Sequence, residues 1–370
     1  MRKLRIIHTA DLHLDSPYEA LGIEKAKLRR EEQWELLHAL VSLAEREHAD
    51  LMLLAGDLLD SWKGYHETGE LLARCLADVP CPVLISPGSH DFYSPGSPYA
   101  RVEFPENVHI FEENRIQLVS VPSADCRVFG AAFTERTCVP LLQGFHADRK
   151  EGFYNLLCMH GEATASSLRN PISPDDLAAS GIDYAALGGV HAASGLLKSG
   201  SCAYSWPGCP EGHCFAEAGE KTVNIAELSP DGCSLRTVPI AARHYRAMTL
   251  DISARDPLLL IHTSLPDDSF RDIYRIMLTG ISREAPDLRK LHQNLDELFF
   301  ALQLEDNTRL PEDIWAFAGE DSLRGLFLSK MRTLLDAADS ADARMRVEKA
   351  VRWGLAALND AGEVVSHENT

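Results

Sequence analysis

A chain of 370 residues, 45% hydrophobic and 25% charged, has the size for two or three domains and the makeup of a globular protein. No apolar run approaches the ~18 residues of a membrane span, so a helical membrane protein is excluded. The formal charge of −19 speaks against a protein that coats itself in nucleic acid, because phosphate contacts need Lys and Arg; a nuclease that binds cations stays open.

The start, MRKLRIIHTADLHLD, has a short apolar stretch and no small-residue cleavage site, and reads as a buried strand rather than a signal peptide. That strand spans 4–7, and a helix follows over 23–47. Its Lys25, Lys27, Arg29 and Arg30 read as a solvated face in preference to a nucleic-acid face. Apolar strands at 51–55 and 82–86 flank a helix at 67–77, the alternation of a layered α/β fold whose strands are covered on both faces. Shorter strands come next at 108–111, 116–120, 127–133, 155–159 and 184–187, with a short helix at 174–179. Three more lie at 201–206, 222–228 and 234–240. Beyond about 241–246 the pattern changes to a small βαβαβ unit: strands 248–252, 273–279 and 297–304 alternate with helices 257–263 and 286–294. The remainder is helical, with periodic apolar residues from Leu323 to Leu335 and from Val347 to Leu358; residues 366–370 read as frayed. The boundaries expected are 1–242, 243–308 and 309–365. Nine cysteines without a C-x-x-C pair read as reduced thiols, buried at Cys75, Cys81, Cys158 and Cys202, which implies the cytosol.

Chemistry concentrates where apolar strands end. Asp11 and His13 follow the first strand, Asp57 the second, Ser89-His90-Asp91 the third; His160 and His191 follow two later ones. In open α/β sheets the functional crevice lies at these carboxyl ends. One such histidine is ordinarily structural, but five strand ends each delivering Asp or His point to a joint site. Mixed carboxylate and imidazole ligands suit Mn²⁺, Fe or Zn²⁺ better than the hard cations that prefer oxygen alone. His8 within the strand reads as core, Asp15 and Asp60 as turn caps, Tyr204 and Trp206 as packing groups, and His66, His146 and His213 as loop residues without a partner pattern.

The succession H-T-A-D-L-H-L-D-S-P, A-G-D-L-L-D, G-S-H-D, M-H-G-E and A-L-G-G-V-H resembles the calcineurin-like metallophosphoesterases. Within them it is most similar to the DNA-exonuclease branch of SbcD- and YhaO-like repair proteins, and S-W-P-G-C-P-E-G with F-A-E-A-G-E-K agrees. The resemblance covers residues 4–230 and implies a two-sheet sandwich flanked by helices, with a small α/β capping domain behind it. It assigns Asp11, His13, Asp57 and His191 to one metal, most readily Mn²⁺, and makes Asp57 the bridge to a second metal that His160 also holds. His90 becomes the catalytic histidine, oriented by Asp91, and water activated by coordination the nucleophile. The partners implied are DNA, a coiled-coil ATPase of the SbcC or YhaN kind docked on the C-terminal helices, and a second copy of the chain. No P-loop is present, so ATP dependence has to come from that partner.

Two positions depart from the family pattern. Ser89 stands where the family has an Asn ligand and Gly189 where it has a His, and both losses fall on the second metal. The expectation is one tight metal and a second position that is weak or empty. A nuclease with crippled chemistry and a degenerate enzyme retained as a binding subunit both fit; Ser89→Asn with Gly189→His is the substitution pair that separates them.

Overall fold

Strands as short and uniformly apolar as these need cover on both faces, and the chain supplies it with a second sheet on one side and helices on the other. The computed structural model describes residues 2–358; residues 366–370 and the end of the expected third region fall outside them. It divides into two compact units, Met1–His244 and Tyr245–Thr370.

In the first unit β1 (Leu4–Thr9) leads to α1 (Ile23–Arg46), β2 (Leu51–Leu54), α2 (His66–Ala77), β3 (Val83–Ile85), α3 (Pro98–Arg101) and β4 (Val108–Ile110). The second sheet starts with β5 (Gln117–Val121), β6 (Cys126–Gly130) and β7 (Tyr154–His160). It continues through α4 (Pro174–Ala179), β8 (Tyr184–Gly188), β9 (Leu197–Ser199) and β10 (Cys202–Ser205). The chain then returns to the first sheet as β11 (Thr222–Ser229) and β12 (Gly232–Pro239). The strand orders are β12-β11-β1-β2-β3-β4 and β5-β6-β7-β8-β10-β9. In the first sheet β1 to β4 run parallel, as do β6, β7, β8 and β10 in the second.

The period of two along each strand divides the core. Leu4, Ile6, Leu51 and Leu53 meet Val128, Leu156, Cys158 and Ala186 between the sheets. Ile7, Met52 and Leu54 point the other way, onto Leu37 and Leu40 of α1 and Leu72 and Leu76 of α2. Leu157 and Met159 do the same for α4, together with Tyr204 and Trp206, so those two rings are packing groups. His8 is fully buried, its Nδ1 2.9 Å from the Tyr184 hydroxyl and its Nε2 3.1 Å from the Leu187 carbonyl. Burial lowers it to about 3, against the bond to Leu187, so it stays neutral in the fold.

All nine cysteines are free, seven of them buried. Arg29 corrects the reading of a solvated basic face: it is wholly buried, with Nη1 2.7 Å from Glu211 and 2.5 Å from Glu32.

The second unit holds a parallel sheet of β13 (Tyr245–Asp251), β14 (Ile273–Thr279) and β15 (Ala301–Asp306), with α5 (Pro257–Ser264) and α6 (Leu288–Leu295). Ile252, Ile261, Ile276, Leu291 and Leu295 form its core. Helices α7 (Leu323–Asp336) and α8 (Ala341–Leu358) belong to the same unit and close a second cluster around Leu328 and Val351. Among the described residues no helix is long and apolar enough to cross a membrane.

Candidate metal centre

The parallel strands deliver their carboxyl ends to one place, and the loops leaving them are bonded to one another. Asp11 donates its N–H to Gly56 and His13 its N–H to Asp57, at 2.9 and 3.0 Å. Gly161 N–H bonds the Gly188 carbonyl at 2.9 Å. A β carbon on Gly188 would lie 1.9 Å from the Ala55 carbonyl oxygen, so only glycine lets the two sheets meet this closely here. Asp11, His13 and Asp57 all adopt positive φ, 56°, 45° and 50°. That conformation is rare outside glycine and costs free energy, and it clusters where a site must present side chains inward.

Two groups of donors are built on Asp11. Asp11, His13 and His191 bring one ligand atom each to within 4.8 Å of the others, as do Asp11, Asp57 and His160. Asp11 is therefore common to both, where the resemblance assigned the bridge to Asp57. The Nε2 atoms of His13 and His191 face each other at 3.3 Å. Nδ1 of His191 lies 2.5 Å from a Glu217 oxygen, so Nδ1 is the donor of that pair and Nε2 is the nitrogen turned towards His13. His160 is held likewise: Nδ1 is 3.0 Å from the Ala55 carbonyl, and Nε2 sits 3.4 Å from Asp57 Oδ2. Ring nitrogens turned to carboxylate oxygens and to each other, inside a buried cleft, are the donor set of a cation site.

The electrostatics agree. Burial pushes the Asp11 carboxyl up, against the pull of His160 and His191. Burial would also raise Asp57, but His160, His13 and His90 outweigh it and hold that carboxyl down. His13 is depressed by burial, yet Asp60, Asp57 and Asp11 lift it to about 9. The Asp60 carboxylate stands 3.2 Å from His13 Nδ1, close enough for charge attraction though not aligned as a hydrogen bond.

The departures from the family pattern have visible consequences. Ser89 Oγ is 3.4 Å from Asp57 Oδ2. Gly189 offers no side chain, but its N–H donates to both oxygens of Asp11 at 3.1 Å. The second group thus consists of Asp57, His160 and the shared Asp11.

His90 is exposed at the mouth, with its N–H donated to Asp57 Oδ1 at 2.8 Å and its ring Nδ1 3.3 Å from the Asp60 carbonyl. Asp91 is not what orients that ring. Its carboxylate accepts from the backbone N–H groups of Asp57, Leu58, Leu59 and Gly88 and from the Tyr99 hydroxyl, at 2.6 to 3.2 Å. It pins the loops after β2 and β3 together from below, a structural role that its sequence neighbour disguised.

Sequence reasoning passed over three residues that the fold brings here. Asp60, read as a turn cap, forms a donor group with His13 and His90. Glu217 and His213 join the site from the loop before β11. The spacing of His213 and Glu217, four apart in the segment H-C-F-A-E, is the signal that was available.

Comparison with known proteins follows the same lines. The sequence profile described as calcineurin-like phosphoesterase matches residues 4–188. The chain is 30% identical over 238 residues to the "Uncharacterized metallophosphoesterase YhaO" of Bacillus subtilis (strain 168), a match that covers 61% of this chain and 58% of that protein. The chain thus spans a little over half the length of that relative. One solved structure superposes on 65% of this chain and 100% of its own at 10% identity, with a TM-score of 0.40, too loose to bear on function.

Proposed function

The chain belongs to the calcineurin-like phosphoesterase family, whose members are metal-dependent phosphoester hydrolases, and we propose that it is a phosphodiesterase acting on DNA ends. The observation that carries the hydrolase reading is the convergence of Asp11, His13 and His191 on one point beside an exposed His90. DNA as substrate rests on the resemblance to the SbcD- and YhaO-like branch, the S-W-P-G-C-P-E-G and F-A-E-A-G-E-K segments foremost.

The donor set fits a divalent cation: carboxylate and imidazole, with the outer nitrogens of His160 and His191 held by the Ala55 carbonyl and Glu217. Asp11, His13 and His191 would hold it most firmly, and Asp57 and His160 would hold a second more weakly. A cation so held polarises a phosphoryl oxygen and brings the pKa of water towards neutrality. Mn²⁺, Fe and Zn²⁺ all match these donors, and Mn²⁺ is the first to try.

The protein's own contribution is positioning. Asp91 fixes the loop geometry, and the His90 N–H bond to Asp57 keeps the imidazole beside the carboxylates. With Nδ1 turned to the Asp60 carbonyl, Nε2 is the nitrogen left to donate to a phosphate or leaving oxygen. In this reading the chain works in the cytoplasm with a coiled-coil ATPase, for which the exposed Leu323, Leu326 and Leu334 of α7 offer apolar contact, and it pairs with a second copy.

The loss of side-chain donors at Ser89 and Gly189 favours one other reading, a binding subunit that no longer turns over. Hydrolysis of linear DNA in Mn²⁺ by the purified chain decides between them, with Asp57→Ala as the control and a bis-aryl phosphodiester in parallel. The expected result is cleavage of both substrates, lost in the control. Cleavage of the aryl diester alone would overturn DNA as substrate, and cleavage of neither would overturn the enzyme.

A further inference from the structure

The loop between β10 and β11, residues 206–221, contributes a carboxylate that the reaction itself does not call for. Glu217 has its two oxygens committed to different partners. Oε1 lies 2.5 Å from Nδ1 of His191. Oε2 accepts the His213 N–H at 2.7 Å and lies 3.1 Å from its Nδ1. His213 passes the contact on: Nε2 is 3.2 Å from the Leu12 carbonyl, and its ring stands edge-on to His13 at 5.4 Å between centroids. One carboxylate therefore touches the loop that carries His191 and, through His213, the loop that carries Asp11 and His13.

We propose that Glu217 is the positioning residue of the first metal site: it sets the His191 tautomer that frees Nε2 and fixes the spacing of the two ligand loops. The proposal rests on the reading that Asp11, His13 and His191 hold a divalent cation. The same atoms have a rival use. His191, Cys209 and Glu217 also lie close enough to be a cation site of their own, but the Glu217 oxygen is at hydrogen-bond distance from His191 Nδ1. Cys209 is buried, and burial pushes its thiol up. Its Sγ takes a hydrogen bond from the buried Lys221 ammonium at 3.3 Å, which pulls the thiol down again but is outweighed by burial. The loop has its own anchor away from the site, since Arg29 of α1 pairs with Glu211 and lies 3.4 Å from the Gly212 carbonyl. Loss of Glu217 therefore leaves the loop attached and removes the hold on His191.

The test is calorimetric titration of the full chain with Mn²⁺ and with Zn²⁺, joined to ¹⁵N spectra of the histidine rings without metal. In the native protein His191 is expected to carry its proton on Nδ1. Glu217→Ala is expected to weaken the tighter site by about 10- to 100-fold, the usual cost of losing such a partner, and to move the His191 proton to Nε2. Glu217→Gln keeps one acceptor for Nδ1–H and is expected to fall between. Unchanged affinity in Glu217→Ala overturns the proposal, and so does a Cys209→Ser loss larger than that of Glu217→Ala. If Glu217→Ala does not fold, the native spectrum still decides, because a His191 proton on Nε2 overturns the proposal. Tight metal binding without DNA hydrolysis would sink the functional reading and leave this one standing.

Discussion

Gly189 adopts φ +97°, and a β carbon there would sit 3.0 Å from His160 Nε2 and 3.1 Å from the Gly161 carbonyl oxygen. A side chain at that position is strained twice, by the backbone and by the ligand it crowds. Restoring a histidine is therefore not the simple repair that the sequence invites. Gly189→His is expected to lose about 1–3 kcal/mol of stability with no gain in metal affinity, a result that thermal melting and Mn²⁺ titration read together. Ser89 has no such conflict: its φ is not in the left-handed region, and its Oγ already points at Asp57. Ser89→Asn alone is thus the variant expected to strengthen the second site. An increase with Gly189→His at undiminished stability would show that the loop relaxes and that the strain argument is wrong.

At the scale of elements, the buried Arg29 joins α1 to the loop before β11. Burial pushes the Glu211 carboxyl up and the Arg29 guanidinium pulls it down, with the upward push prevailing; Glu32 shares the same guanidinium and also pairs with Arg243 at 2.7 Å. Removing one member of a buried pair leaves the other uncompensated, whereas replacing both by apolar groups can be neutral. Arg29→Met is expected to cost about 3–5 kcal/mol by urea unfolding, and Arg29→Met with Glu211→Leu to recover part of it. The same residue shows what could be read beforehand. Strand and helix bounds were legible to within a few residues because apolar runs and the 3.6-residue period are local signals. So was the gathering of Asp and His side chains at five strand ends, since each motif sits directly behind a strand. Strand β9, the short α3 and the burial of Arg29 were not, because nothing local marks them. Glu217 and Asp60 were missed for a related reason: their importance comes from partners 26 and 47 residues away, brought near only by the fold of the two sheets.

Over the whole molecule, apolar cores and ligands are distributed unevenly. Three clusters, one between the sheets and one on each outer face, lie wholly within Met1–His244, while two smaller ones lie within Tyr245–Thr370. Every group of side chains able to hold a cation among the described residues belongs to the first unit. A ligand that binds only the folded form stabilises what it binds by mass action, about 2.7 kcal/mol at 100 times its dissociation constant. The fragment 1–244 is accordingly expected to unfold cooperatively and to gain several degrees in midpoint with saturating Mn²⁺, whereas the fragment 245–370 gains nothing. Scanning calorimetry with and without the metal measures both. A fragment 1–244 that fails to fold would mean that its three cores are not enough by themselves. A shift in 245–370 would place a metal site where the described side chains provide none. The shift in 1–244 also has an internal control: Asp11→Asn removes the one carboxylate common to both donor groups, so it should abolish the gain where Asp57→Ala only reduces it.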